Sequence, residues 1–178
     1  MALNPYFEVL DKARHQLKSF DCGKAVMNDF LKRYAVKNQN LGLSRTWVLA
    51  ENSADGEKAA VAAYYTLAFQ SVEPENFRDK VSLPRYPTPT ILLARLAVNK
   101  AYQGQRLGRK TLLAALAQAA RISEQGLPAY ALVLDVLDDD AHRFYQQFDF
   151  FKSFDTPADD RVRLFVPMSA VKHLLAGY

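Results

Sequence analysis

Three rhythms of apolar and polar residues run along the chain, and each predicts an element. Residues 92–98 form a nearly continuous apolar run broken only by Arg95, as expected of a strand covered on both faces. From Leu107 onward, Leu112, Leu113, Leu116, Ala119 and Ala120 fall at helical spacing, in residue types that favour that state. Between the two lies Gln103-Gly104-Gln105-Arg106-Leu107-Gly108, so the centre of the chain reads as strand, tight loop, helix. Upstream, residues 6–10 predict a short strand. Asp21 is a candidate N-cap for a helix whose Val26, Met27, Phe30, Leu31 and Tyr34 line one side and which Gly42 ends. Residues 45–51 and 59–70 predict a hairpin around the polar turn 52–58. Pro74, Pro84, Pro87 and Pro89 make 73–90 an ordered loop with a short helical turn.

Downstream, Gly126 and Pro128 close the central helix, and residues 131–136 predict an apolar strand. Asp138, Asp139 and Asp140 offer caps for a helix through Gln147. Residues 150–154 and 162–166 read as the last strands, around a turn at 156–160, and 169–176 as a terminal helix. Such alternation, without repeats, indicates a mixed α/β domain. At 178 residues, the whole of 1–178 is expected to be a single domain.

Bulk properties narrow the class. No run of eighteen apolar residues occurs, and Asn4, Glu8 and Asp11 stand where a signal peptide needs an apolar core. A soluble, cytoplasmic protein without membrane contact is expected. The single Cys22 excludes an internal disulfide framework, and His15, His142 and His173 lack ligand spacing, so no metal site is expected. A net charge of +4 permits a polyanionic partner without requiring one.

Glycines let a backbone approach a ligand closely, and a helix opening just after such a loop turns unpaired N–H groups and its positive dipole end to one spot. Residues 103–108 therefore read as an anion site, suited to a pyrophosphate. The Rossmann and P-loop strings are both absent. The stretch resembles the acetyl-CoA loop of the GNAT superfamily of N-acetyltransferases, Gln/Arg-x-x-Gly-x-Gly/Ala at the end of a central strand. Gln103 and Gly108 match its first and last positions. Arg106 stands where the middle glycine is usual, so the backbone there is expected to keep a negative φ or the loop to be recast. An ordinary strand-to-helix turn would carry similar glycines.

The resemblance implies the GNAT fold, a splayed central sheet flanked by helices, with acetyl-CoA as co-substrate. Its pyrophosphate would lie on the loop formed by Gln103, Gly104, Gln105, Arg106, Leu107, Gly108 and Arg109. The pantetheine amides would meet the strand at Leu96, Ala97 and Val98, if that strand parts from 131–136. Ala141 to Phe150 resembles the superfamily's Phe-Tyr-x-x-x-Gly-Phe signature, with Phe144, Tyr145 and Phe150 in place. Asp149 stands where glycine is usual, in a position expected to be left-handed. Tyr145 is the candidate catalytic residue: a phenol stays protonated at neutral pH and can donate to a thiolate as it forms. A Tyr beside a Phe on a short helix is otherwise a core aromatic, but here two motifs occur in the family's order and separation. Arg95, a charge in an apolar strand, needs either an acidic partner or a role in the acceptor cleft.

The opening residues, Phe20-Asp21-Cys22-Gly23, Asn28-Asp29-Phe30-Leu31, Tyr34-Ala35, Asn38-Gln39 and Ser44-Arg45-Thr46, resemble the bacterial GNAT toxins of toxin–antitoxin pairs. That likeness continues through Ala94 to Val98 and Tyr102 to Gly104. It implies acetylation of the α-amino group of an aminoacyl-tRNA, a block on translation, a ribbon-helix-helix antitoxin and a homodimer. The acceptor chemistry fits, because an α-amine titrates near pH 7.7–8.0 and needs no strong general base. Lys37, Arg45, Arg85 and Arg95 are the candidate acceptor-binding residues, with Arg78 and Lys80 as further cations along an RNA backbone. Two rival readings are acetylation of a small amine or protein N-terminus, and a non-catalytic acyl-CoA-binding regulatory module.

Overall fold

The computed structural model describes residues 2–77, 83–154 and 162–177. The readings of Arg78, Lys80 and the turn at 156–160 therefore lie outside the described residues. The chain gathers into two compact units, Met1–Ala68 with Ala94–Ala115, and Phe69–Leu93 with Leu116–Tyr178.

In the first unit, β1 (Glu8–Val9) pairs antiparallel with β3 (Arg45–Ala50), and β3 with β4 (Ala59–Val72), as the hairpin pattern predicts. The β3–β4 register passes from Leu49↔Ala63 to Ala50↔Val61, so β4 carries one extra residue, Ala62. This bulge sorts the core. Val61 and Tyr64 join Leu10, Phe20, Phe30, Leu31, Val48 and Ala97 in one cluster, while Ala62 and Ala63 pack with Leu49 and Leu107 in another. A short strand not foreseen from the sequence, β2 (His15–Gln16), lies parallel to β4. Its His15 is buried; Nδ1 accepts from the Asp11 N–H at 2.9 Å, which leaves Nε2–H to donate to Glu8 at 2.6 Å.

The first predicted helix is interrupted. α1 (Ala25–Asp29) passes through a π-helical turn at Phe30–Tyr34 into α2 (Ala35–Asn40). The extra residue in that turn shifts the apolar face by one position, so Ala35 is buried after Phe30 and Leu31 while Tyr34 is exposed; Val26, ahead of the turn, is exposed too. Lys24 occupies the N-cap position, not Asp21, whose carboxylate is engaged elsewhere. The end is as expected: Gly42 takes φ +74°, with Leu43 N–H donating to Asn38 O and Gly42 N–H to Gln39 O.

In the second unit, the start of β5 (Thr88–Val98) lies parallel to β6 (Ala131–Asp135). β6 pairs antiparallel with β8 (Arg163–Pro167), and β8 with β7 (Lys152–Ser153). β5 begins four residues before the apolar run because Pro89, though it lacks an N–H, offers its carbonyl to the Tyr130 N–H at 2.9 Å. Phe77, Phe154 and Phe165 pack with Val72, Ala131 and Val133, each large side chain contributing about 1.5–3 kcal/mol on full burial. α4 (Asp139–Gln146) is capped by Asp138, which accepts from the Ala141 N–H at 2.9 Å. α5 (Met168–Ala176) ends the described chain. Among the described residues no helix is long and apolar enough to cross a membrane, and no group of His, Cys, Asp and Glu is placed to hold a metal.

Candidate active site

The loop after β5 is held from its first residue. Asn99 donates its N–H to Ala62 O at 2.8 Å, the carbonyl exposed by the bulge, and its side chain accepts from the Ala101 N–H. A 3-10 turn at Lys100–Tyr102 follows, and then Gly104 at φ +80°. Arg106 sits at φ +61°, the one left-handed non-glycine among the described residues, so the expectation of a negative φ there is corrected. The loop keeps the backbone path that a glycine would take, at a cost of about 1–2 kcal/mol for the Cβ. α3 (Leu107–Gln125) starts at once, anchored by buried Leu107 against Leu49, Ala62 and Ala63. The N–H groups of a helix's first turn precede its own acceptors, which applies here to Leu107 and Gly108, and the Lys110 N–H donates to Arg106 O at 3.2 Å. No acidic residue lies in that turn, so dipole and N–H groups favour an anion.

Gln103 does not present its side chain as a free ligand. Its carboxamide donates to Val98 O at 2.9 Å and to Cys22 O at 3.0 Å. Two carbonyl acceptors fix which end of the amide is nitrogen. Asp21 meets the same loop, accepting at its main-chain oxygen from the Lys100 N–H (2.8 Å) and pairing its carboxylate with Lys100 Nζ (3.2 Å). The Gly23 N–H, the Asn28 side-chain amide and Lys100 together hold the exposed Asp21 carboxyl down at about 2. On the other side, the Tyr102 hydroxyl donates to Glu51; burial first, and this bond to a carboxylate second, push the phenol up to about 12.

β5 presents the remaining groups. Its register with β6 covers only Thr90, Ile91 and Leu92, opposite Ala131, Leu132 and Val133, and β5 then runs on alone from β6 to Val98. Leu96 and Val98 are half-buried and Ala97 is buried. Arg95 shares the Ala97 side and lays its guanidinium 4.8 Å above the Phe30 ring. One of its nitrogens donates to Ala94 O, while Nε is buried without a hydrogen-bond partner among the described residues. Among the described residues no carboxylate pairs with it, so the ion-pair alternative gives way to a cation–π contact.

In the second unit, Tyr145 is buried on α4, its ring edge-on to Phe144 and Phe151 with centroids at 5.0 and 5.6 Å. Burial pushes its phenol up, because ionisation in an apolar setting is disfavoured. Among the described residues its hydroxyl has no hydrogen-bond partner. Asp149 is not left-handed, which corrects the expectation for it: α4 ends through Gln147 and Phe148 N–H bonds to Phe144 O and Tyr145 O, without a positive φ. In the acidic run at the start of α4, Asp138 is the cap and Asp140 pairs with Arg143, while Asp139 is exposed in the first turn.

The structure thus brings Leu96, Ala97, Val98, Arg95 and residues 103–109 together in the first unit, where Lys37 and Arg45 are exposed on α2 and β3; Arg85 is exposed in the second unit. Asn99, Glu51, Asp21 and Asn28 were missed as supports. An Asn just before a glycine loop is a turn-forming signal that points to Asn99.

Residues 42–151 match the acetyltransferase (GNAT) domain family. The chain is 34% identical over 134 residues to a tRNA-acetylating toxin of Mycobacterium tuberculosis (strain ATCC 25618 / H37Rv), covering 74% of this chain and 76% of that one. Among solved structures it is similar to AtaT complexed with acetyl-methionyl-tRNAfMet (25% identity, TM-score 0.83, 97% of this chain and 99% of that chain). It is also similar to AtaTR bound with AcCoA (26% identity, TM-score 0.81, 98% of both chains).

Proposed function

Because this chain belongs to the GNAT acetyltransferase family, we propose that it moves the acetyl group of acetyl-CoA to the α-amino group of an amino acid esterified to tRNA, and so stops translation as the toxin of a toxin–antitoxin pair. The observation that carries the acceptor is the 34% identity, over three quarters of both chains, to a tRNA-acetylating toxin. We read the two units as one acetyltransferase domain, since the likeness to AtaT extends over 97% of the chain.

The first-turn N–H groups of α3, with those of Gln105 and Arg106, hold the pyrophosphate, and Gln103 holds the loop. The main chain at Leu96 to Val98 takes the pantetheine, with the Val98 oxygen also accepting from Gln103. Tyr145 donates its hydroxyl proton to the departing sulfur as the C–N bond forms and the C–S bond breaks. The nitrogen's proton goes to solvent, from which Tyr145 is restored, and the products are an amide and a thiol. The phenol's raised value keeps it protonated for that step. No base is needed, as a sizeable share of an α-amine is neutral near pH 7.7–8.0. Lys37, Arg45 and Arg85 lie along the RNA backbone, and Arg95 orients the acceptor end. The reaction takes place in the cytoplasm, without a metal, in a homodimer that gives a tRNA more surface than one small domain. A ribbon-helix-helix antitoxin holds it inactive.

A cationic small amine would need a cluster of free carboxylates, and in the run 138–140 two of the three, Asp138 and Asp140, are committed to α4 and Arg143. The test is radiolabelled acetyl-CoA with a panel of aminoacyl-tRNAs and, alongside, polyamines and peptide N-termini. Label is expected on the aminoacyl group of at least one tRNA; label on polyamines or peptides alone would overturn the acceptor, and no transfer at all would leave a non-catalytic binding module.

A further inference from the structure

We infer that Asp21, Cys22 and Asn28 form a clasp that sets the position of the acetyl-CoA loop, and that Asn28 is a positioning residue for acetyl-CoA although it touches no residue of that loop. The inference rests on the reading of residues 103–109 as the acetyl-CoA site. All three residues lie outside 42–151, the stretch that matches the acetyltransferase domain.

A loop with left-handed backbone at both Gly104 and Arg106 stands only if its surroundings over-determine it. Its side-chain and main-chain tethers are few and specific. Gln103 reaches Val98 O and Cys22 O, and the Lys100 N–H reaches Asp21 O. Asn99, Tyr102 and Leu107 fix the loop toward Ala62, Glu51 and Leu49; of the three further tethers from Gln103 and Lys100, two end on the dipeptide Asp21-Cys22, so that dipeptide sets the opposite side of the loop. Asn28 places it. Its Oδ1 accepts from the Cys22 N–H at 2.9 Å, and its Nδ2 donates to Asp21 Oδ1, also at 2.9 Å. The same Asp21 oxygen accepts from the Gly23 N–H at 2.9 Å, closing a turn in which Gly23 takes φ +88°. An N–H facing one end of the amide and a carboxylate the other leave a single orientation for Asn28. Without it, Cys22 O shifts relative to Gln103, the loop samples other conformers, and acetyl-CoA must reorder it on binding.

Three proteins test this by steady-state kinetics: Asn28→Ala, Asn28→Asp, and the exchange Asp21→Asn with Asn28→Asp. The alanine variant removes both bonds. The aspartate variant keeps the acceptor but sets two carboxylates against each other, and the exchange removes that repulsion and returns one donor to the pair, while giving up the Gly23 and Lys100 contacts of Asp21. KM for acetyl-CoA is expected to rise roughly tenfold in the first two, the scale of one or two lost hydrogen bonds, and to fall back to about threefold in the exchange. kcat at saturation and KM for aminoacyl-tRNA are expected to stay within about twofold, which a general loss of structure would not allow. If Asn28→Ala does not fold, the comparison of Asn28→Asp with the exchange carries the test alone. Gly108→Val, run beside them, separates the two claims by calorimetry. Weakened acetyl-CoA binding in Gly108→Val with an unchanged KM in the Asn28 variants would overturn the clasp and leave the loop reading standing; undiminished binding in Gly108→Val would overturn both.

Discussion

Arg95 lies with its guanidinium 4.8 Å above the ring of Phe30, the first residue of the π-helical turn, in a stretch of β5, Ile91 to Val98, whose other side chains are apolar. Among the described residues its buried Nε has no hydrogen-bond partner, so this polar atom is open to a bound group. Arg95→Lys keeps the charge and the stem but loses the planar stack. KM for aminoacyl-tRNA is expected to rise about tenfold while KM for acetyl-CoA stays level, measured at saturating concentrations of the other substrate. A change confined to melting temperature would make Arg95 a packing residue.

Arg106 offers a stability test. At φ +61° its Cβ costs about 1–2 kcal/mol, which glycine would not incur. Glycine also widens the unfolded ensemble, by roughly 0.5–1 kcal/mol, so Arg106→Gly should be neutral to stabilising by about 1 kcal/mol. Arg106→Val, β-branched in a left-handed conformation, should destabilise by more than that. Urea unfolding of the two variants checks the order; a more stable valine variant would contradict the left-handed assignment.

For Tyr145, replacement by Phe keeps the ring against Phe144 and Phe151 and deletes only the hydroxyl. Turnover should fall roughly a hundredfold to ten-thousandfold with acetyl-CoA affinity nearly unchanged. The hydroxyl has no partner among the described residues, so the melting temperature should hardly move. A fully active Tyr145→Phe protein would mean that another group protonates the thiolate.

The same residue fixes the shape of the pH profile. Burial raises the Tyr145 phenol above its ordinary value, so the protonated, donating form persists through the working range. kcat/KM should rise as the acceptor amine deprotonates near pH 8 and show no descending limb from this phenol below about pH 10. A descending limb near pH 9 that disappears in Tyr145→Phe would contradict the burial argument.

Acid stability tests the Asp21 network. Its carboxyl titrates at about 2 in the folded protein, against an ordinary 3.8, chiefly because the Gly23 N–H, then Asn28 and Lys100, favour the anion. A depressed folded value means that its contribution is complete above the unfolded value and is lost as pH falls from about 4 to about 2. Calorimetric melting temperatures across that window should fall less steeply for Asp21→Asn than for the unaltered protein. Equal slopes would show that Asp21 is not held in its charged form.

Sequence pattern determined the helix from Leu107, the 45–70 hairpin, the Gly42 terminus and the Asp138 cap, because each depends on spacing or on a side chain within a few residues of the backbone it serves. Likewise, the loop at 103–108 and the Tyr on the helix after β6 were legible as motifs, since their residue types and order suffice to name them. What tertiary structure alone decided is where distant backbone meets. The residue inserted in β4 opposite Leu49 and Ala50 turns the Ala62 carbonyl to Asn99. The π-helical turn puts Ala35, and not Tyr34, on the buried face that continues from Phe30 and Leu31. Gln103 spends its amide on Cys22, eighty-one positions away. Arg106 is forced left-handed by the path between Val98 and Leu107, against the preference of its own side chain. Local propensity contributes about a kilocalorie per residue or less, and a loop anchored at both ends overrides it when packing and hydrogen bonds at the anchors contribute more.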